Sequence, residues 1–497
     1  MTRSRLLIFT AHALAWSITL PYLCGYAATY DLWAYLTQGK LFWETFDVPR
    51  ADGDSYLPTI PWVCHNWLAS ALTYPLFTGG GGTAARALTY IMMVGACVLA
   101  YRTARRTDAS PFVALLTLLL ALPAIAVGAL PWRPAMFTLL FVPMLIAWLQ
   151  CGRLTWLIPL LFVLWANLHA GVAAGLVVLG AHLAASLLRP IANHQSPITI
   201  TRLGIITFLS AAATLLNPYG LDYWKMIFVT VGGSNTDITE WQPVKLFGPE
   251  QLDFQVLVAM TFALLAVARE KGLHRWLTLA VFAAMGFRQV RDVPLFGLAV
   301  VALLPPVAER LIARWRERSQ PPRLRTLPVV FPVAGLAVAA VVVMFWLRSQ
   351  PLWLRVPRAP DPGGIYYPVG GVEFLRLNNL RGNVAAFYPW VEYAAWKLHG
   401  QCRFSADGRY VTVFPQESLR VSLDFTVGRD GWRKLLDEHP TDLALVPRGT
   451  TIESRLRNEA RWPLLYADAG CALFAKDASL AGRTWKQPKK PAQGHFP

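Results

Sequence analysis

Apolar runs recur through the first 350 residues, separated by short polar segments. A helix rises about 1.5 Å per residue, so about 20 apolar residues cross the roughly 30 Å of hydrocarbon in a bilayer. The pattern predicts about eleven spans of this kind. They lie near 6–28, 84–101, 111–129, 134–150, 154–170, 171–188, 202–217, 252–268, 275–287, 293–312 and 328–347. The segment 66–77 is apolar but too short to cross, and glycines 79–82 separate it from the next run. It reads as an interfacial helix of the first loop. Beyond residue 350 the pattern changes. A Pro- and Gly-rich linker at 351–368 leads to short apolar strands at 383–388, 442–446 and 471–475, which alternate with helical patterns at 371–378 and 431–438. This alternation predicts a small α/β domain over 369–476. The basic, Pro-rich segment 477–497 reads as a disordered tail. No internal repeat is visible. The expected fold class is an all-α polytopic membrane domain over 1–350, with its first loop at 29–83, followed by a small α/β domain.

Composition agrees with a membrane setting. Of 497 residues, 55% are hydrophobic and 15% are charged, where soluble proteins carry about a quarter. The net charge of +17 raises the question of nucleic acid. Its distribution argues against that partner, because the basic residues sit in short loops between apolar runs. Arg3 and Arg5, then Arg102, Arg105 and Arg106, then Arg153, Arg189, Arg269, Lys271 and Arg275 follow this rule. So do Arg310, Arg314, Arg316, Arg318, Arg323 and Arg325. With an odd number of spans these clusters share one side, the cytoplasm. The first loop, the 131–134 turn, the 217–250 loop, the 288–292 turn and the C-terminal domain then lie outside. The run 6–28 reads as a retained helix rather than a signal peptide. Six cysteines without C-x-x-C spacing give neither a zinc site nor a disulfide framework.

Candidate chemistry gathers on the outer side. The loop 31–67 holds Asp31, Glu44, Asp47, Asp52, Asp54 and His65 among aromatics and prolines. Asp31 precedes a helical pattern, so it is either a general base at the membrane boundary or a helix N-cap. Asp52 and Asp54, spaced Asp-x-Asp, suit a divalent cation or a sugar hydroxyl, and equally an Asp/Gly turn. His65, Asn167 and His169 lie near outer helix ends, as site groups or as packed polar residues. Arg133, Arg288 and Arg291 stand against the positive-inside trend. Asp407, Gly408 and Arg409 form either a binding turn or a plain β-turn.

The first loop resembles that of bacterial members of the GT-C superfamily of integral-membrane glycosyltransferases. Their pattern, roughly D-x-W-W-H-L-x-x-G, P-x-x-D-x-x-S and W-x-x-H-E-W-L, is matched at Asp31, Trp33, Leu36, Gly39, Pro49, Asp52, Ser55, Trp62, His65, Trp67 and Leu68. Further matches are Trp165, Asn167 and His169, then Asn217 to Gly220, Glu240 with Trp241, the 288–295 segment, 370–374, Tyr393 and 407–410. The chain departs from the pattern at Ala34, Tyr35 and Asn66, losing a Trp, an imidazole and a carboxylate.

The resemblance implies a bacterial cytoplasmic-membrane enzyme that moves a sugar from a polyprenyl-phosphate carrier to an extracytoplasmic glycan, lipid or protein by inverting displacement. Asp31 is then the base. Asp52, His65, Asn167 and His169 bind substrate, and Arg133, Arg288 and Arg291 pair with the leaving phosphate. One outward cavity is expected to hold Asp31, Asp52, His65, His169 and at least one of these arginines. A divalent cation is an optional cofactor. For the arginines the alternatives are lipid head groups or salt bridges, such as Arg291 with Asp292 or Glu240. For the whole chain the alternative is a non-catalytic carrier or scaffold of lipid-linked glycan assembly.

The topology is testable directly. Reporter fusions after residues 106, 200 and 320 should read cytoplasmic, and one after 350 should read external. A cytoplasmic signal at 350 would require an even number of spans.

Overall fold

A computed structural model describes residues 3–23, 25, 27–129, 132–188, 198–232, 239–319, 330–349, 354–358, 364–480 and 482–489. The expectations for Pro131, Arg189, Arg323, Arg325, parts of the linker and the tail beyond 489 lie outside these residues. The chain divides into two compact units. One comprises Met1–Gly25, Arg86–Gly220 and Ser234–Leu352; the other comprises Tyr26–Ala85, Leu221–Gly233 and Trp353–Pro497.

The first unit is helical because its apolar runs satisfy their own backbone groups, the requirement for chain in hydrocarbon. Its centre is the helix Val293–Leu303, all of whose residues are buried. A helix apolar all round belongs in a core, and this one packs against Pro111–Ala126, Ala135–Cys151 and Leu273–Arg288. Small residues set the approach. Gly128 leaves room for Pro294, and Gly297 for Ile125, with 2.8 and 2.9 Å from an ideal Cβ to the nearest atoms. Outward faces carry exposed Leu116, Leu120, Phe208 and Phe345, as lipid contact requires. The chain is a multi-pass membrane protein.

Helix boundaries differ from the hydropathy reading in instructive places. The first expected span is α-helical only over Arg3–Thr19 and then tightens into a short turn, Leu20–Tyr22, that contains Pro21. The expected span 293–312 is two helices, Val293–Leu303 and Pro305–Ser319. They bend by 44° where adjacent prolines remove backbone donors. Trp67–Arg106 is one long element broken at Gly81, whose φ of 58° and ψ of −159° lie outside the helical region, inside the glycine run expected to interrupt it. By length and composition, three helices among the described residues can cross a membrane: Trp67–Arg106, Pro249–Val267 and Pro332–Ser349. The bent pair would make a fourth, and five apolar helices are shorter.

The second unit contains a five-stranded mixed sheet in the order β2-β1-β3-β5-β4. The strands are β1 (Gly382–Ala386), β2 (Cys402–Phe404), β3 (Leu443–Pro447), β4 (Leu464–Ala467) and β5 (Cys471–Ala475). β1 is parallel to β2 and β3, and β5 is antiparallel to β3 and β4. β3 and β5 are buried throughout, which explains why their apolar runs were legible. β2 is only three residues long and β4 is half exposed, and neither was anticipated. Of the helix expected at 431–438 only Lys434–Asp437 forms.

The first loop belongs to this unit. Ser55 bridges to Phe404, Phe404 N donates to Asp54 O at 2.8 Å, and Tyr56 N donates to Phe404 O at 3.1 Å. The loop thus covers the open edge of β2, where unpaired backbone would otherwise be exposed. Its helix Leu32–Thr45 packs at Gly39 on Trp67–Arg106. An ideal Cβ at residue 39 would lie 2.2 Å from Ser70 O and 2.7 Å from Tyr74 Cβ.

Gly39→Ala should therefore destabilise the purified protein by the ~1–3 kcal/mol typical of overpacking, read as a lowered melting temperature. Gly180→Ala, where a Cβ meets nothing within 4 Å, should be neutral or stabilising. Equal behaviour of the two variants would contradict the close packing.

Candidate functional site

Asp31 stands immediately before Leu32–Thr45 with helical φ and ψ of −67° and −17°, and its side chain makes no capping hydrogen bond. The N-cap explanation for this carboxylate is therefore not met. Trp33, fully buried, fixes the start of the helix. Its ring lies edge-on to Tyr367 and Tyr393 at 5.6 and 4.9 Å, and the Tyr367 hydroxyl donates to Ala28 O at 2.9 Å.

Beside it, Arg409 is clamped between two carboxylates. Nε donates to Asp407 Oδ1 at 2.9 Å, and Nη2 reaches Asp407 Oδ2 and Asp52 Oδ1 at 2.6 Å each. Trp62 lies against the guanidinium, 4.8 Å from ring centre to Cζ. The side chains of Asp52, Asp407 and Arg409 are 1, 5 and 11% exposed. Burial alone would ease the proton off Arg409, but the two carboxylates outweigh it and hold the guanidinium charged. Asp52 also accepts Ser55 N through Oδ2 at 2.8 Å, an Asx-type turn. Asp54 pairs with His399 Nδ1 at 2.8 Å; burial pushes its carboxyl upward and His399 opposes that. The two carboxylates of the Asp-x-Asp spacing, read as cation ligands, sugar-hydroxyl acceptors or a turn, are thus paired with Arg409 and His399. No group of three or more His, Cys, Asp or Glu among the described residues could hold a metal ion.

Gly408, inside the Asp407–Arg409 turn, is where two further carboxylates meet. An ideal Cβ there would lie 2.7 Å from Glu392 Oε1 and 3.6 Å from Asp31 Oδ1. Glu392 was not anticipated. The signal was present: it is the one charged residue on the buried face of Val391–Leu398, otherwise formed by Val391, Tyr393, Ala394, Ala395 and Leu398. A cleft partly open to solvent adjoins this cluster. Lys40, Glu44, Asp52, Asp54, Trp62, Glu392, Trp396, His399, Asp407 and Arg409 line it.

His65 belongs to the same unit, in the turn before Trp67–Arg106, where its backbone N donates to Val63 O at 2.9 Å. Asn66, at the departure from H-E-W-L, is buried and accepts from the Cys64 thiol at 3.6 Å.

The other expected residues belong to the first unit. Asn167 Nδ2 donates to Val163 O and Leu216 O at 2.8 and 2.9 Å, joining two helix ends. His169 Nδ1 accepts Gly171 N at 3.0 Å and lies 2.8 Å from Thr138 Oγ1, which assigns the ring proton to Nε2. Arg133 forms an ion pair with Glu240 at 2.6 Å, and Arg291 lies over the Trp241 ring at 4.2 Å. Burial pushes the Glu240 carboxyl up, but Arg133 and Arg291 outweigh it and hold it low. Asp292 is raised by burial against the pull of Arg291 and Arg288. Three guanidinium groups thus surround two carboxylates.

No family model and no curated protein matches the chain in sequence. Solved structures do match in fold. The oligosaccharyltransferase of Archaeoglobus fulgidus, in complex with zinc and sulfate, is 10% identical with a TM-score of 0.54, covering 95% of this chain and 73% of its own. The archaeal oligosaccharyltransferase AglB from Archaeoglobus fulgidus, in complex with an inhibitory peptide and a dolichol-phosphate, is 12% identical with a TM-score of 0.50, covering 96% of this chain and 74% of its own. The arabinofuranosyltransferase AftD from Mycobacteria is 14% identical with a TM-score of 0.51, covering 96% of this chain and 40% of its own. The chain therefore spans about two fifths of AftD. Over nearly its whole length it has the fold of GT-C membrane glycosyltransferases.

Arg409→Met should unfold the clamp. Removing one partner of a buried ion group leaves the others uncompensated, at a cost of about 3–5 kcal/mol. Arg409→Lys, which keeps the charge but not the planar fork, should lose less. Thermal unfolding of the full chain measures both, and an unchanged melting temperature for Arg409→Met would refute the clamp.

Proposed function

We propose that this chain, having the GT-C fold, is a membrane glycosyltransferase that moves a sugar from a polyprenyl-phosphate carrier to an extracytoplasmic acceptor. The observation that carries the proposal is Asp31: a loop carboxylate with no capping role, directed with Glu392 to one spot beside a side-chain-free glycine. The acceptor O–H attacks the anomeric carbon as its proton passes to Asp31. The bond from that carbon to the phosphate oxygen breaks, the lipid phosphate leaves with the electron pair, and the configuration inverts. A base held in a partly desolvated loop suits this step. Arg133, Arg288 and Arg291 are assigned to the leaving phosphate, since guanidinium forks match phosphate oxygens. The dolichol-phosphate bound by the archaeal neighbour is a carrier of the proposed class.

Residues 1–350 form the membrane domain in this account, with about eleven spans. The N-terminus is cytoplasmic in a bacterial inner membrane, and 369–476 is the outer domain that binds or gates the acceptor. His65, Asn167 and His169 are assigned to substrate binding or to shaping its walls. One observation favours the alternative of a non-catalytic carrier or scaffold: Asn66, buried against Cys64, supplies no carboxylate where the family pattern has one.

Asp31→Asn keeps size and hydrogen bonding but removes the basic oxygen. Transfer of labelled sugar from lipid-linked donor in purified membranes should fall about 10²–10⁴-fold, with protein level unchanged. Unchanged transfer would rule Asp31 out as base. No transfer by the unmodified chain from any donor would favour the scaffold.

A further inference from the structure

The reaction as written uses one carboxylate, yet a second is brought to the same place. Glu392 is 5% exposed, and its Oε1 and Asp31 Oδ1 lie 2.7 and 3.6 Å from one point above Gly408 Cα. The two oxygens are therefore separated by no more than the sum of those distances. A Cβ at residue 408 would crowd Glu392 Oε1, so the glycine is what allows the carboxylate to approach the turn. A second observation is independent of the carboxylates. The Tyr388 hydroxyl oxygen is buried and has no hydrogen-bond partner among the described residues. The charges of Asp407, Glu392 and Asp31 all act on it. Buried hydroxyls ordinarily have partners. The adjoining cleft adds the indole of Trp396 beside Glu392. Carboxylates that accept from hydroxyls, a phenol that donates, and an indole face for C–H groups together suit a polyhydroxylated ligand.

We propose that Glu392 and Tyr388 form, beside Asp31, the subsite for a sugar-bearing acceptor, a glycan or glycolipid rather than a peptide. The proposal rests on the transferase reading and deepens it. Glu392 accepts a hydrogen bond from the hydroxyl next to the attacking one and takes no proton. The attacking hydroxyl gives its proton to Asp31. Tyr388 donates to an acceptor oxygen, and Gly408, having no Cβ, lets Glu392 come close to the turn.

The experiment uses the full chain in proteoliposomes. Donors are undecaprenyl-phosphate-linked radiolabelled arabinose, mannose, glucose and galactose; acceptors are methyl glycosides, a cell-envelope glycan fraction, and a Ser/Thr/Asn peptide. Initial rates are measured against acceptor concentration for the unmodified chain, Glu392→Gln, Glu392→Asp, Tyr388→Phe and Asp31→Asn, with melting temperatures alongside. Glu392→Gln should raise acceptor KM about tenfold or more while affecting kcat less, the factor carried by a lost hydrogen bond to a charged group. Glu392→Asp should recover part of that loss, Tyr388→Phe should raise KM in the same sense, and melting temperatures should hold. An unchanged KM for Glu392→Gln, a loss that merely follows a lowered melting temperature, or transfer to peptide but not to glycosides would overturn the subsite. A KM shift in Glu392→Gln with full transfer by Asp31→Asn would support the subsite and remove Asp31 as base. No transfer by the unmodified chain would overturn both.

Discussion

The buried ion group of Arg409 with Asp52 and Asp407 is the constraint on which the second unit depends. It ties residues more than 350 positions apart, so the first loop and the C-terminal domain fold as one body. Ionic groups of this kind add little net stability over an apolar core but penalise every arrangement that leaves one partner alone. Here that selectivity fixes a register. With Asp52 on Arg409, Ser55 falls opposite Phe404 and closes the edge of β2, and Trp62 covers the guanidinium. The turn that carries Arg409 also carries Gly408, so the clamp delivers the surface against which Asp31 and Glu392 face.

The first unit answers a different demand. Its helices must satisfy their own backbone and meet closely without a hydrophobic drive between them, and glycines at 128 and 297 give that closeness. Several of its polar groups serve packing. Asn167 joins helix ends, Trp165 Nε1 donates to Thr138 beside His169, and Arg133 holds Glu240. Under the proposed transfer, a phosphate at these arginines would have to compete with Glu240.

What the sequence made legible follows from what each signal depends on. Apolar runs report burial or lipid directly, so the helices and the two central strands β3 and β5 were readable. A span cut by a turn was not: Pro21 and the paired Pro305 and Pro306 end helices within runs whose hydropathy continues. Short or half-exposed strands such as β2 and β4 lack a pattern of their own and exist through their neighbours. In the site, Asp31 and Asp52 were visible because they sit in a recognisable loop. The partner of Asp52 was not, since a contact across 357 residues leaves no local mark. The Asp-x-Asp spacing suited a cation, a sugar hydroxyl or a turn; Asp52 forms the turn with Ser55 and pairs with Arg409, and Asp54 pairs with His399. Glu392 did leave a trace, a lone carboxylate on an apolar helix face, of the kind that a search for buried charge would find.

The central claim is a direct displacement at an anomeric carbon with Asp31 as base. Proton NMR of the product made by the purified full chain from a lipid-linked sugar of known configuration tests it most directly. The account predicts that the anomeric configuration of the transferred sugar is inverted relative to the donor. Retention of configuration would contradict it, because retention requires a covalent intermediate with two displacements, or attack from the face the phosphate leaves.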